Sequence, residues 1–296
     1  MKKRIAAGIP LAFLLLGPRP AAADTVTIPA MKDNTLCESL AALSNGAGEF
    51  FYVGQTNDGL TRRGVIAFDV AGQVPAGSTI DAVTLTLNLS KTRAGQETVR
   101  LHRLNLAWGE GTSNQPPLGF GNCGAATIGD ATWAHSIFDT AFWATAGGDF
   151  SIAISASQTV GDNTALGPHT WGSTAEMVAN VQGWLDAPAA NFGWILIGNE
   201  TGSRTSKRFD SRENATAANR PALQVDFTPP AVGPTVYEST AKDKIGNPVG
   251  NGPSPYNHPP AAGSPLFYQV DDGLGVPAVI FVVKLDPAVS RIQITW

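Results

Sequence analysis

The heptapeptide "VTLTLNL", from Val83 to Leu89, alternates strictly between apolar and polar side chains. Successive side chains of a β-strand point to opposite faces of the sheet, so the valine and the three leucines share one face and the polar residues share the other. This pattern is typical of an antiparallel strand that is buried on one face and solvated on the other. The stretch therefore predicts a sheet with a hydrophobic core on one side.

Similar strand patterns recur on both sides of this heptapeptide, in "GVIAFDV", "FSIAISAS", "FGWILIGN" and "ALQVDF". In "FSIAISAS", the alternation places Phe150, Ile152 and Ile154 on the predicted core face. Several short strands separated by Gly-, Pro- and Asn-rich turns indicate an all-β fold.

One segment has a different period. In "STAEMVANVQGWLDAP", Ser173 precedes Glu176 by three residues, which is the spacing of a helix capping box, and apolar residues then recur at helical intervals. We therefore predict an antiparallel β-sandwich over residues 24–228 that carries one short helix near residues 174–186.

The N-terminus, "MKKRIAAGIPLAFLLLGPRPAAAD", has a basic start, a short apolar stretch and a run of three alanines. These features are typical of a secretory signal peptide, here residues 1–23. An uncleaved membrane anchor is the alternative, although the apolar stretch is short for a membrane span. No later segment reaches that length, so we expect a mature chain from about Asp24 that is exported and has no membrane span.

The region after the sandwich changes composition. Residues 229–265 are rich in Pro and Gly and are predicted to form a linker. Residues 266–296 contain two strand-like stretches, "AVIFVVKL" and "RIQITW", separated by "DPAVS", which could turn a hairpin. An isolated hairpin is marginally stable in water, so this C-terminal β segment is expected to dock on a protein partner or to begin an incomplete domain.

Charge and motifs restrict the class of function. The net charge of −4 argues against nucleic acid as a partner. A glycosidase needs two carboxyls facing one substrate, whereas Asp210 and Glu213 are three residues apart and would point to opposite faces of a strand. The sequence also has no nucleophile elbow, zinc-protease motif or P-loop. We therefore predict that the chain is not an enzyme.

The chain has two cysteines, Cys37 and Cys123, and each lies beside a Gly- or Asn-rich stretch. Export would permit a disulfide between them. Two buried thiols are the alternative, and the sequence does not decide between the two.

Candidate ligand-binding residues follow from how sandwich modules bind sugars, by stacking on aromatic rings and by hydrogen bonds and ion pairs. Arginine and lysine would recognise an acidic sugar, because guanidinium matches carboxylate in a bidentate pair. The candidates are Trp108, Trp171, Arg103, Lys207, Arg208 and Arg212, with Arg62 and Arg63 as further basic residues. The alternative is core packing for each tryptophan and a solvated face or an internal ion pair for each basic residue.

The charged residues of the stretch "RFDSRE" could either pair with one another within the fold or contact a ligand. If it is extended, Arg208, Asp210 and Arg212 share one face, and alternating charges on one face favour a mutually paired ladder. We expect Asp210, Arg212 and Glu213 chiefly to fix the closing strands. A ligand contact by Arg208 or Arg212 is the alternative.

A structural Ca²⁺ ion is a further prediction, because secreted sandwiches often hold one where the first and last strands meet. Asp33, Asn34 and Glu38 supply oxygen ligands near the start of the fold, and Asp226 lies on the predicted last strand.

Several blocks in order resemble the DNRLRE domain family: "KDNTLCE", "NGAGEFFYVGQT", "RRGVIAFDV", "AVTLTLNLSKT", "VRLHRLNLAWGEGTS", "GDATW", "VQGWLDAPAANFGWILIGNE" and "KRFDSREN" followed by "RPAL". The resemblance extends from about Ala30 to Thr228 and departs from the family's pattern at Cys37. It implies a secreted, jelly-roll-like β-sandwich that is similar to carbohydrate-binding modules, in some members to ones that bind acidic polysaccharides such as alginate.

We accordingly expect a secreted, non-catalytic module that binds polysaccharide, acidic or neutral, outside the cell or at its surface. A structural or adhesive surface protein without a glycan ligand is the first alternative, and a carbohydrate-active enzyme is the second.

Overall fold

The computed structural model describes residues 23–115 and 121–230, together with the backbone of two short strands within residues 267–281. The predicted signal peptide and the predicted linker lie almost entirely outside these ranges. Within the described residues, no helix has both the length and the apolar composition needed to cross a bilayer. Residues 21–230 form one compact unit, which is described first.

The compact unit consists of β-strands with a single α-helix among its described residues. The bounds are β1 Asp24–Cys37, β2 Leu43–Ser44, β3 Phe50–Gln55, β4 Thr61–Phe68, β5 Thr79–Thr92, β6 Glu97–Leu104, β7 Gly124–Ala125, β8 His135–Ile137, β9 Ala141–Phe142, β10 Phe150–Val160, β11 Gly167–Gly172, α1 Ala175–Asp186, β12 Trp194–Ile197, β13 Lys207–Asp210 and β14 Ala222–Thr228. All pairings between these strands are antiparallel. The predicted all-β fold with one helix is thus confirmed.

Two sheets enclose the main core and share strands. One contains β11, β5, β14 and β13, the other β4, β12, β6 and β10, and both β1 and β3 pair with members of each. Six strands consequently close into a ring in the order β1, β14, β5, β13, β3 and β4. The sandwich therefore has a barrel-like closure.

Strand β1 makes the clearest crossing between the sheets. Its first half, Asp24–Pro29, pairs with β14, and its second half, from Ala30 to Cys37, pairs with β4. The register shifts between Ala30 and Lys32, where the strand leaves one sheet for the other. An irregularity of this kind bends a strand and increases its twist, which a turn between two sheets requires.

The apolar face of the heptapeptide lies in the main core. Val83, Leu85, Leu87 and Leu89 are fully buried, in one cluster with residues of β4, β12 and the helix α1. The helix begins one residue later than the sequence pattern indicated, because Thr174 is the N-cap and accepts a hydrogen bond from Met177. The other strand pattern is only partly right, since Ile152 is 95% exposed and Ile154 is 47% exposed on β10.

A second core covers the opposite face of the β4–β12 sheet. Here the loop-rich segment between β6 and β10 packs Trp108, Ala131 and Trp143 against Val65 and Ile195. The two indole N–H groups are satisfied by main-chain carbonyls. The loop therefore builds a hydrophobic layer, and its aromatic residues contribute to stability.

The C-terminal part is described by a hairpin of two strands, β15 Phe267–Asp271 and β16 Pro277–Phe281, which pair antiparallel. Strand β16 coincides with the beginning of the predicted "AVIFVVKL" strand. Its partner is an earlier segment, whereas "RIQITW" lies outside the described residues.

Candidate functional site

A basic cleft of about 610 Å³ opens between the β3–β4 turn, the end of β5 and the segment that leads into β13. Its lining residues are Tyr52, Gln55, Thr56, Asn57, Asp58, Leu60, Arg62, Lys91, Thr92, Arg93, Gly121, Asn122, Arg204, Ser206 and Arg208. Five of these residues are Arg or Lys and one is Asp. In a chain of net charge −4, this is a marked local excess of positive charge.

Strand β13 places Arg208 in the cleft. The neighbouring side chains, Lys207 and Phe209, are fully buried, so alternation along the strand directs Arg208 away from the core. Its guanidinium carbon lies 3.8 Å from the ring centroid of Phe50, and its Nε donates to Ser90 Oγ at 3.0 Å. Burial lowers the pKa of Arg208, but the group stays charged. The guanidinium is therefore held in place without a carboxylate partner within salt-bridge distance among the described residues.

Arg62 forms part of the cleft and is almost completely buried. Its Nε donates to the carbonyl of Gly121 at 2.7 Å, and its Nη1 donates to the carbonyl of Thr61 at 2.8 Å. Burial lowers the pKa of Arg62 to about 10. The acceptors of its hydrogen bonds are uncharged carbonyls, and the charge of the nearby Glu38 favours the charged form of Arg62.

The remaining cations crowd the rim. Lys91 lies directly opposite Arg208 in the register between β5 and β13, and like charges in such a cross-strand pair repel each other. The pKa of Lys91 is lowered by burial and, in addition, by the charges of Arg208 and Arg93. Arg204 has a φ of 62°, which is uncommon for a residue other than glycine, and its Nε contacts Asn57 Oδ1. The crowding of charge favours an anion in the cleft.

The two predicted tryptophans lie elsewhere, and their interpretation as sugar-stacking residues is corrected by their burial. Trp171 is fully buried in the main core, where its Nε1 donates to the carbonyl of Val99 at 2.9 Å. Trp108 is 3% exposed, and the Lys32 ammonium lies 4.0 Å from the centroid of its ring. Neither ring offers a face to a sugar, so core packing is the role that the structure gives both.

Two predicted basic residues also lie outside the lining of the cleft. Arg103 is exposed on β6. Lys207 is fully buried, and its ammonium donates to the carbonyls of Gly95 at 2.5 Å and Gly161 at 2.6 Å. Burial lowers the pKa of Lys207 to about 8. Lys207 thus fastens two loops beside the sheet.

Arg212 belongs to a different constellation, which we call the Arg212 cluster: Arg212, Asp33, Glu110 and Glu213. The guanidinium forms a bidentate pair with Glu110, at 2.6 and 2.7 Å, and a third contact with Glu213 at 2.9 Å. The Asp33 carboxylate accepts the main-chain N–H of Arg212 at 2.8 Å. The cluster therefore ties the exit of β13 to β1 and to the segment after β6.

Burial shifts the pKa of two carboxyls in the Arg212 cluster, Asp33 and Glu213. It raises the pKa of Asp33 well above its ordinary value, and it also raises the pKa of Glu213. The hydrogen bonds to Glu110 raise the pKa of Arg212.

The predicted ladder of alternating charges takes a different form, because Arg208 faces the cleft while Asp210 accepts a hydrogen bond from Asn88 at 2.6 Å.

The four predicted calcium ligands do not converge. Asp226 lies opposite Thr25 near the beginning of β1, eight residues from Asp33, which corresponds to about 25 Å along a strand. Asn34 donates to Ser44 and to the carbonyl of Glu110, and Glu38 accepts the N–H of Thr61. Among the described residues, no group of three or more His, Cys, Asp or Glu side chains is arranged to hold a metal.

Cys37 and Cys123 are joined in a disulfide with a Cα–Cα distance of 6.6 Å. The bridge connects the end of β1 with the segment that contributes Gly121 and Asn122 to the cleft.

Arg208 and Arg62 were among the basic residues predicted from the sequence, whereas Lys91, Arg93 and Arg204 were not. The signal that could have identified them is their position in the sequence, because "SKTR" and "TGSRTS" lie at the ends of predicted strands, where turns of a sandwich cluster.

No protein-family model matches the chain, and no curated protein matches it at a significant level. The resemblance to the DNRLRE family stays a prediction, and the geometry of the cleft is the main support for a function.

Proposed function

We propose that the chain is an exported, non-catalytic module that binds an acidic polysaccharide in the basic cleft. The observation that carries this proposal is the group of five cationic side chains around one cleft with a single carboxylate. A polyuronate presents carboxylates at regular intervals, and guanidinium groups bind carboxylates through charge-assisted hydrogen bonds. The resemblance to the DNRLRE domain supports the same class of ligand.

The crowding of like charges around the cleft supports an anionic ligand over a neutral one. Arg208 and Lys91 repel each other across paired strands, and a bound carboxylate would relieve that repulsion. Arg62, Arg204 and Arg208 are held by main-chain and side-chain contacts before any ligand binds. Such preorganisation reduces the entropy lost on binding.

The carboxyls that are grouped elsewhere support a non-catalytic role. Asp33, Glu110 and Glu213 all contact Arg212, through its main-chain N–H or its guanidinium, and none of them lines the cleft. The lining of the cleft contains Asp58 as its one acidic residue, whereas a glycosidase uses a pair of carboxyls across the scissile bond.

Affinity electrophoresis tests the proposal directly. The mature chain is run in native gels that contain polygalacturonate, alginate or neutral dextran, at low ionic strength. We expect retardation by an acidic polymer and none by dextran. Arg208→Ala is expected to weaken the retardation by about tenfold in affinity, the equivalent of about 1.4 kcal/mol.

Arg103→Ala is the matched control, because it removes the same charge from an exposed position outside the cleft. Unchanged retardation of this variant shows that the effect of Arg208→Ala is local. Failure of every acidic polymer to retard the native chain would refute the proposal and leave a structural or adhesive role. Equal losses in the two variants would show that attraction is non-specific.

A further inference from the structure

Gly121 and Asn122 form one wall of the cleft, and this wall is linked to Arg62 in two ways. One link is a hydrogen bond, and the other runs through the Cys37–Cys123 disulfide. Two residues after Gly121, Cys123 is bonded to Cys37. Cys37 in turn lies directly opposite Arg62 in the register between β1 and β4. The Arg62 Nε completes the loop by donating to the Gly121 carbonyl at 2.7 Å.

We propose that the Cys37–Cys123 bridge positions Arg62 in the cleft, so that affinity for the acidic ligand depends on the bridge being intact. The dependence on a ligand rests on the proposed function, whereas the positioning of Arg62 does not. The bridge would make the cleft sensitive to thiol reductants.

The physical reason lies in the way Arg62 is held. Its side chain is buried and its Nε has the Gly121 carbonyl as acceptor, a contact across 59 residues of sequence. That acceptor remains over Arg62 only if the segment before Cys123 is fixed. Without the bridge, Gly121 can move away, and a buried guanidinium that loses an acceptor turns toward water.

Gly121 also packs closely against the opposite wall of the cleft, so its position affects the shape of the cleft. Gly121 has a φ of 81°, so its backbone adopts a conformation that few other residues reach. A Cβ atom there would lie 3.5 Å from Thr56 Cγ2, which places Gly121 against the opposite wall of the cleft. The segment thus packs closely over the cations, and its position controls the shape of the cleft.

The chemical change is a balanced thiol–disulfide exchange. A dithiol reductant supplies two electrons and two protons, the Cys37–Cys123 bond breaks, and two protein thiols form. The two sulfur atoms of the reductant become joined in its own disulfide.

Arginine modification tests the positioning without a ligand. The native chain and a Cys37→Ser, Cys123→Ser double variant are treated with phenylglyoxal and analysed by peptide mass spectrometry. We expect Arg62 to be protected in the native chain and modified in the variant. Arg103, which is exposed, should be modified in both and serves as the internal control. Protection of Arg62 in both proteins would overturn the proposal.

Binding of polygalacturonate is then measured for the same two proteins and for Arg62→Ala with the bridge intact. We expect each change to lower the affinity by about tenfold, and the triple variant to lose no more than Arg62→Ala alone. Additive losses would show that the bridge does not act through Arg62 and would overturn the proposal. If Arg62 becomes reactive but the native chain binds no acidic polymer, the proposed function fails while the positioning stands.

The double variant could melt below the assay temperature. In that case the native chain is titrated with dithiothreitol, and Arg62 modification is followed together with near-ultraviolet circular dichroism. Modification that precedes loss of the tertiary signal supports the proposal. Modification that accompanies unfolding only would overturn it.

Discussion

Arg208 and Arg212 are four residues apart, and the protein uses the same chemical group in two opposite ways. Arg212 meets Glu110 and Glu213 in salt bridges of 2.6 and 2.9 Å. Arg208 instead faces Lys91 across paired strands and packs on the ring of Phe50. The comparison teaches that the partners brought by the fold, and not the type of residue, separate a structural arginine from one that can bind a ligand.

The distances in sequence strengthen this contrast. Arg212 contacts Asp33, which is 179 residues away, and Glu110, which is 102 residues away. It therefore joins parts of the chain that no local interaction could hold together. The cleft, in contrast, brings five cations together around one acidic residue, which costs stability but favours binding of an anion.

Removal of Arg212 is expected to have the largest effect on stability. Arg212→Ala removes the guanidinium that Glu110 and Glu213 contact. Because the Arg212 side chain is 39% exposed, the free energy of unfolding should fall by about 2 kcal/mol in urea denaturation, less than for a fully buried pair. Arg103→Ala, an exposed control, should change it by less than about 0.5 kcal/mol. Equal values for the two variants would show that the Arg212 cluster does not hold the fold.

Removal of Arg208 should affect stability little and ligand affinity strongly. Arg208→Ala forfeits a cation–π contact and two hydrogen bonds to Ser90, one of them long, so unfolding in urea should be easier by no more than about 1 kcal/mol. Affinity for polygalacturonate, measured by calorimetry, should fall by about tenfold, while Arg212→Ala binds as the native chain does at a temperature where it is folded. A loss of affinity in Arg212→Ala would show that the structural arginine and the ligand-binding arginine cannot be separated in this way.

Ionic strength should affect ligand binding at the cleft more than it affects the stability provided by the Arg212 cluster. The rim of the cleft is exposed, and ions screen such charges when the Debye length falls below about 10 Å. Binding to the acidic polymer should weaken several-fold between low and high ionic strength. The stability difference between the native chain and Arg212→Ala should change less, because its pairs are partly buried. Salt-independent binding would indicate a ligand that is held by other contacts.

The pH dependence should be the smallest effect. The pKa of Asp33 is higher in the folded chain than in the unfolded chain, because burial disfavours the carboxylate. The folded state then binds more protons, and stability falls as the pH rises from about 4 through the raised pKa. In melting curves between about pH 4 and about pH 8, Asp33→Asn should show a shallower decline. A decline equal to that of the native chain would show that Asp33 does not contribute.

Local periodicity predicted much of the fold. The alternation from Val83 to Leu89 identified a strand whose apolar face lies in the main core. The same reasoning misplaced Ile152 and Ile154, since β10 is the last strand of its sheet and its register with β6 is irregular there. Alternation shows that a strand has two unlike faces, but it does not show which face another layer covers.

The site was harder to predict because it is assembled from distant segments. Trp108 was a candidate because sandwich modules stack sugars on aromatic rings, whereas the structure buries it in the second core. Arg208 was among the candidates, but its partner Lys91 comes from a strand more than a hundred residues earlier. A charge pattern within one stretch of sequence cannot reveal that two such residues meet.

The pairing of β1 with β14 has a mechanical consequence. Asp24 and Phe227, near the two ends of the compact unit, are register partners, so their Cα atoms are about 5 Å apart. A force that pulls these ends apart would load the hydrogen bonds between the two strands one after another, as a zipper opens, and not all together. Peeling of β1 could continue only to Cys37, where the covalent link to Cys123 stops it. The unit would therefore yield early under tension, lengthen by one strand, and then resist.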